Sequence, residues 1–412
     1  MEKALELFLG VLTAMGGFVE IGELTFSLNA GAKFGYHLLF VTALGTVGII
    51  VYCEMAGRVA AVAGQPVFNL IRERVGLSLG AVTLVAALAV NLLTCAAEIG
   101  GIAFVWQLLA PLPYRAWAAV ALLFLVLAVW VLPFKWIERV FGLGGLLMIV
   151  FLVVAVREVR DWGELMAGFL PSLPKLESTS QYVLFAYYAV ALLSSVLLPY
   201  ETYFYASGAI EDGWKPADVP INRVIVVVGF TLGAALGVAL ISLGATFFAP
   251  LHIEPQLPGV ATLPAALAFG KAGLLIALGG LFFAFAGAAI ETCLSGAYSL
   301  AQFFGWPWGR FRGHAKAARF TIAWVATFVL AALIVASGVD PVAVVEYSIV
   351  FSVVILPLTY FPLLLVAGDP RVMGRHVNGR LSSWLGWFYL VLVTVTALAA
   401  VPLLVLTHGG RG

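Results

Sequence analysis

Residues 19–26 read Val19-Glu20-Ile21-Gly22-Glu23-Leu24-Thr25-Phe26, two carboxylates three apart inside the first apolar run of the chain. A second string, Leu198-Pro199-Tyr200-Glu201, puts a third carboxylate inside another apolar run. An ionisable group at the middle of a bilayer costs roughly 2.5–3.5 kcal/mol even on insertion scales, so it persists where protein or water surrounds it. Each acid stands beside Gly22 or Pro199, residues that weaken a helix. Broken helices carrying acids at mid-membrane depth point to an ion or proton site.

The composition supplies the membrane. Of 412 residues, 63% are hydrophobic and 10% charged, whereas soluble domains carry about 25% charged residues. A net charge of +1 gives no reason to expect nucleic acid as a partner. The start, Met1-Glu2-Lys3-Ala4-Leu5-Glu6, lacks a basic n-region, so the first apolar run reads as a retained helix. Cys53, Cys95 and Cys293 all fall in apolar runs and read as small buried residues rather than a disulfide frame or zinc set.

Apolar runs long enough for a core of about 30 Å predict about eleven spanning helices, at 8–28, 37–63, 78–109, 116–132, 138–156, 181–208, 222–249, 273–304, 318–337, 341–366 and 383–407. An amphipathic interfacial segment is expected at 65–75. The fold class is thus an all-α polytopic membrane protein, one transmembrane domain over 1–412. Lysine and arginine concentrate in alternate connections, as in Arg310, Arg312, Lys316 and Arg319 or Arg371, Arg375 and Arg380. That bias predicts a cytoplasmic N-terminus and an outside C-terminus.

The broken segments are the first and sixth, the leading members of two successive groups of five. Transporters with inverted repeats interrupt these helices at a midplane site. Repeat one then covers about 8–156, repeat two about 181–366, and 383–407 is an extra helix. Pro199 has no N–H, so the Ser195 carbonyl four residues back loses its helical partner. Carbonyls and carboxylates are hard oxygen donors suited to a small cation.

Glu20, Glu23 and Glu201, with Tyr200, are the candidate ion and metal ligands, and Gly22 and Pro199 the candidate breaks. Glu98, in Cys95-Ala96-Ala97-Glu98-Ile99-Gly100, and Glu291, in Ala288-Ala289-Ile290-Glu291-Thr292, read either as proton-relay carboxylates or as buried partners of polar groups. Arg319 reads as a relay partner or as a surface anchor, and Glu54 with Arg58 as a helical ion pair. None of the histidines lies deep in a span, and no Ser-His-Asp or Cys-His pattern supports an enzyme.

Further strings carry a family resemblance: Ala30-Gly31-Ala32-Lys33-Phe34-Gly35-Tyr36-His37, Glu54-Met55-Ala56-Gly57-Arg58-Val59, Ala97-Glu98-Ile99-Gly100, Leu356-Pro357 through Pro362-Leu363-Leu364, and 369–378. The chain resembles the natural resistance-associated macrophage protein (Nramp) family of proton-coupled divalent-metal transporters. The resemblance implies the LeuT-type five-plus-five inverted repeat with one extra helix, and metal as cargo with no cofactor. In that register the family's Asp-Pro-Gly-Asn becomes Glu20-Ile21-Gly22-Glu23, and Met-Pro-His-Asn becomes Leu198-Pro199-Tyr200-Glu201. The tenth helix, around 349–355, lacks the family's glutamine. Glu98 and Arg319 match the family's proton route, whereas Cys95 stands for an aspartate and Tyr205 for a histidine.

Losing sulfur and gaining oxygen predicts harder ions such as Mg²⁺, Mn²⁺ or Ca²⁺. The leading expectation is a divalent-cation secondary transporter of a prokaryotic-type cell membrane, proton-linked or uniporting and working by alternating access, with lipid as its surroundings. A transporter of a small organic cation or amino acid, or a non-transporting sensor of the same fold, are the alternatives.

Overall fold

The computed structural model describes residues 19–132 and 134–410. The described secondary structure is helical throughout. Helix α1 spans Ile21–Phe34, α2 Leu39–Ala63, α3 Val67–Val75, α4 Leu77–Gln107, α5 Tyr114–Val131, α6 Phe134–Gly145, α7 Ile149–Glu158 and α8 Trp162–Ala167. The second half holds α9 at Thr179–Val196, α10 at Pro199–Glu211, α11 at Val219–Leu243, α12 at Leu263–Phe304, α13 at Ala318–Ala336, α14 at Pro341–Ala367, α15 at Pro370–Met373 and α16 at Arg380–Leu406. Among the described residues ten helical spans are long and apolar enough to cross a membrane. The all-α polytopic class holds; of the predicted first span, at 8–28, only the end is described. Residues 8–18 of the predicted first span lie outside the described residues.

Two breaks organise the centre. A 14-residue α1 is about 20 Å long, too short for a core of roughly 30 Å. Its Lys33 end is tied to the half-exposed Glu254, and its first turn is buried in protein. Glu20, just before it, is extended, at φ −103° and ψ 175°. The sixth predicted span divides into α9 and α10. Leu197 and Leu198 leave helical geometry (ψ 64° and 119°), and Pro199 restarts the helix at the position where its missing N–H costs nothing.

The long helices α4 and α12 pack side by side through the core, with α12 kinked at Gly270, whose φ of 62° suits only glycine. Helix α1 crosses α11 at backbone contact. A Cβ on Gly31 would strike the Ile241 carbonyl, and one on Gly244 the Leu28 carbonyl. Small residues at such crossings replace the hydrophobic drive that lipid removes. The 65–75 segment forms α3, with Phe68, Leu70 and Ile71 buried and Arg72, Glu73 and Arg74 turned outward or along its flank.

Polar ties close both ends. At one, Lys33 Nζ donates to Glu254 Oε1 at 2.6 Å, and Asn29 Nδ2 donates to the Pro255 carbonyl at 3.0 Å. At the other, Arg58 Nε donates to Glu54 at 3.0 Å, the ion pair expected from their spacing, and Arg58 Nη2 donates to Asn378 at 2.7 Å. Glu54 also meets Arg223 at 3.2 Å.

Candidate functional site

The two breaks face each other. Ser195, in the last turn of α9, donates its hydroxyl to Glu23 Oε2 at 2.5 Å across to α1. Ser27, one turn further along α1, donates to Glu23 Oε1 at 2.9 Å. Both oxygens of Glu23 are thus held by serine hydroxyls, and the carboxylate joins the broken ends. Gly237 of α11 leaves room for it, since a Cβ there would collide with Glu23 Oε1. Ser194, beside Ser195, donates to the Ile349 carbonyl of α14 at 2.6 Å.

Glu20 lies at the opening of α1, 1% exposed, hydrogen-bonded to Tyr200 in the first turn of α10. Glu98 reaches the same point from α4. Its Oε1 accepts the Ile21 N–H at 3.0 Å, capping α1 from 77 residues away in sequence. A helix start leaves N–H groups without intrahelical partners, and a carboxylate both accepts from them and faces the positive end of the dipole. Among the described residues, no hydrogen-bond donor reaches Glu20 Oε2 or Glu98 Oε2, both fully buried.

Glu201, also 1% exposed, turns to α12, where its carboxyl is hydrogen-bonded to that of Glu291. Ser295, one turn along α12 from Glu291, donates to the Tyr200 carbonyl at 2.9 Å and fixes this register. Tyr200 lies between the two groups, within electrostatic reach of Glu20, Glu98, Glu201 and Glu291.

Three expectations need correction. Glu20, Glu23 and Glu201 do not form one metal-ligand cluster. Among the described residues no three His, Cys, Asp or Glu side chains converge for a metal, because Glu23 is drawn to serines and Glu201 to Glu291. Gly22 is not itself the break: it lies inside the first turn of α1, and the extended residue is Glu20. The glycine is needed because a Cβ would strike the Ile349 side chain. Arg319 does not reach the buried carboxyls: it is exposed, with its guanidinium 5.3 Å from the Trp306 ring centre. Of the predicted site residues, Glu20, Glu98, Tyr200, Glu201 and Glu291 come together.

Ser27, Ser195, Gly237 and Ser295 are site residues that sequence reasoning missed. The adjacent hydroxyls Ser194-Ser195, four and five residues before a mid-span proline, are the available signal. Nothing in one sequence marks the partners of the others. The site is closed on all sides, with each of Glu20, Glu23, Glu98, Tyr200 and Glu201 at most 1% exposed.

Residues 10–402 match the family model described as natural resistance-associated macrophage protein-like. A divalent metal cation transporter, MntH, of Ralstonia nicotianae is 26% identical over 94% of this chain and 88% of its own length. The fold is similar to that of a manganese transporter of Eremococcus coleocola, solved in complex with an aromatic bis-isothiourea substituted compound, with TM-score 0.72, 19% identity, and coverage of 98% of this chain and 87% of that one. It is also similar to MhsT, solved with L-phenylalanine, with TM-score 0.65, 17% identity, and coverage of 97% and 98%.

Proposed function

The chain belongs to the natural resistance-associated macrophage protein-like family, and from that premise we propose that it carries a divalent metal cation across the membrane as its substrate. The cation binds between Glu20 and Glu98 at the start of α1. It is a hard ion, its movement is linked to protons, and the site opens alternately to the two sides. The Glu54–Arg58 end faces the cytoplasm in this reading, and the two repeats contribute one broken helix each.

One observation carries the binding site: Glu20 Oε2 and Glu98 Oε2 are buried with no donor among the described residues. A buried carboxylate oxygen without a partner is strongly unfavourable, and a cation or a proton relieves it. Two carboxylates balance the charge of one divalent ion. The Tyr200 oxygen and backbone carbonyls at the breaks supply further hard donors, which favour Mn²⁺, Mg²⁺ or Ca²⁺ over Cd²⁺. Leu198 stands where the resemblance places a methionine, so it supplies no thioether to reverse that preference.

Alternate opening is supported by what holds the site shut. The polar ties at the two ends, Lys33–Glu254 and Arg58–Asn378, are each reached by α1 or α2. Hinged movement of α1 and α10 at their breaks would release one end while the other stays tied.

The test is uptake into proteoliposomes of Mn²⁺, Mg²⁺, Ca²⁺ and Cd²⁺ at two pH values. Hard-ion uptake should exceed Cd²⁺ uptake, and Glu20→Gln should lower it by at least about tenfold, the scale of losing support for a bound metal. Absence of uptake of any divalent ion, or wild-type uptake by a folded Glu20→Gln variant, would refute the reading.

A further inference from the structure

We infer that the turn formed by residues 407–410, beyond the end of α16, is a plug. It seals the crevice between α9 and α14 that leads down to the broken helices, and it must withdraw before the site opens toward the Lys33–Glu254 end of the molecule. The inference rests on the proposed function only in taking that crevice as the route of the cation. The floor of the crevice is already part of the site. Ser194 of α9 donates to the Ile349 carbonyl of α14 at 2.6 Å, and the Ile349 side chain lies against Gly22, next to Glu20. One turn back along α14 stands Glu346, and two turns back along α9 stands Tyr187, 8% and 1% exposed. The turn fills the space between them. A Cβ on Gly409 would strike Glu346 Oε2, and one on Gly410 would lie 2.8 Å from the Tyr187 ring and 3.4 Å from the Tyr188 hydroxyl.

The backbone is shaped for this fold-back. Helix α16 ends as many helices do: the Gly409 N–H donates to the Leu404 carbonyl at 3.0 Å, with His408 left-handed at φ 48°. A helix cap needs no more than that. The chain instead continues left-handed through Gly409 and Gly410, at φ 74° and 84°. The Gly410 N–H returns to Thr407, reaching its carbonyl at 3.0 Å and its hydroxyl at 3.2 Å. A side chain at either glycine would meet both a strained conformation and the wall it faces. Thr407 and Gly410 are buried, although little of α16 before them is.

Tyr187 and Tyr188 carry the contact on to α1, since each meets Phe26 edge-on, at ring-centre distances of 6.0 and 5.8 Å. The turn therefore rests on α14 through Gly409 and, through the tyrosines, on the two broken helices. Tyr187, Ala191 and Ser194 are four and three residues apart, so they line one face of α9. Ala191, 2% exposed, lies on that face between the turn and the Ser194–Ile349 bond. Water reaches this face when the turn leaves, because the two glycines bridge the gap between α9 and α14 above it.

The experiment measures how fast a charged methanethiosulfonate reagent labels the thiol of A191C in the purified protein in detergent, with mass spectrometry locating the labels. A191C is compared alone, combined with Gly410→Leu, and in a chain cut after Leu406. No cation is added, so the result stands whether or not the protein carries one. Gly410→Leu and the cut should each speed labelling at A191C by at least about fivefold, the lower end of ordinary coupling between two states. The native Cys53, Cys95 and Cys293, all buried, should stay unlabelled. An unchanged rate at A191C would overturn the inference. So would a rise that the native cysteines share, since that reports general loosening rather than an opened crevice. If the cut chain does not fold, Gly410→Leu, which keeps the full length, decides alone. Absence of Mn²⁺ uptake by wild type would refute the proposed function and leave the plug to the labelling rates.

Discussion

At the scale of single residues, the site is governed by which oxygens already have partners. Glu20 and Glu23 sit three apart and look equivalent in sequence, but Glu23 has a serine on each oxygen and Glu20 keeps one bare. Their surroundings separate for that reason: Glu23 joins helices, and Glu20 is the acid to which the proposed cation is assigned. The space around Glu23 is tight. Gly237→Ala would drive a methyl into its carboxylate and cost about 1–3 kcal/mol, the range for overpacking, measured as thermal unfolding in detergent. Glu23→Asp, one methylene shorter, should recover part of that loss in the double variant, giving a favourable coupling energy in a double-mutant cycle. Strict additivity of the two changes would show that the contact is not the cause.

At the scale of the element, α1 depends on a cap from another helix. Glu98 accepts the Ile21 N–H at 3.0 Å, and that bond fixes where α1 begins. Cap and charge are separable by substitution. Glu98→Gln keeps an acceptor oxygen, so stability should fall by less than about 0.5 kcal/mol while cation uptake drops sharply. Glu98→Ala removes both, and should destabilise by about 1–2 kcal/mol, the usual cost of a lost cap. Equal unfolding temperatures for the two variants would deny the cap its role.

The break between α9 and α10 shows what sequence conveys about an element. Pro199 announces a discontinuity because it lacks an N–H, and Leu197 and Leu198 are where the backbone departs. Gly22 makes no such announcement. Glycine permits a break but also permits close approach, and against Ile349 it serves the second purpose. Arg319 is ambiguous in the same way, since an arginine at the start of a span is equally a surface anchor, and it lies on Trp306.

At the scale of the whole molecule, the closed form is held by ties at its two ends. The one at α1 responds to pH in a known direction. Hydrogen bonding to Lys33 holds the Glu254 carboxyl below its ordinary range, so the folded protein binds that proton less readily than the unfolded chain. The contribution is complete above the ordinary carboxylate range and is lost as pH falls through the lowered value. Glu254 is half exposed, so the contribution is small, below about 1 kcal/mol. The stability difference between wild type and Lys33→Ala should stay constant from neutral pH down to the carboxylate range and shrink below it. A difference that grows with acidification would show the opposite linkage.

The sequence by itself determined the class of the protein, the approximate spans and which acids lie inside apolar runs. Apolar run length is a local property that the bilayer thickness converts directly into helices, and a carboxylate or proline inside such a run is visible without a partner. Pairing was decided by the tertiary structure. Glu98 caps a helix 77 residues away, Glu23 meets Ser195, and Glu201 meets Glu291 rather than Glu20. Hydrogen bonds act over about 3 Å, so which acid receives a hydroxyl, an N–H or another acid depends on how α1, α4, α9, α10 and α12 pack. Three carboxylates that read as one cation site in the sequence were parted by that packing: Glu23 onto serines, Glu20 beside Glu98 at the start of α1, and Glu201 towards Glu291.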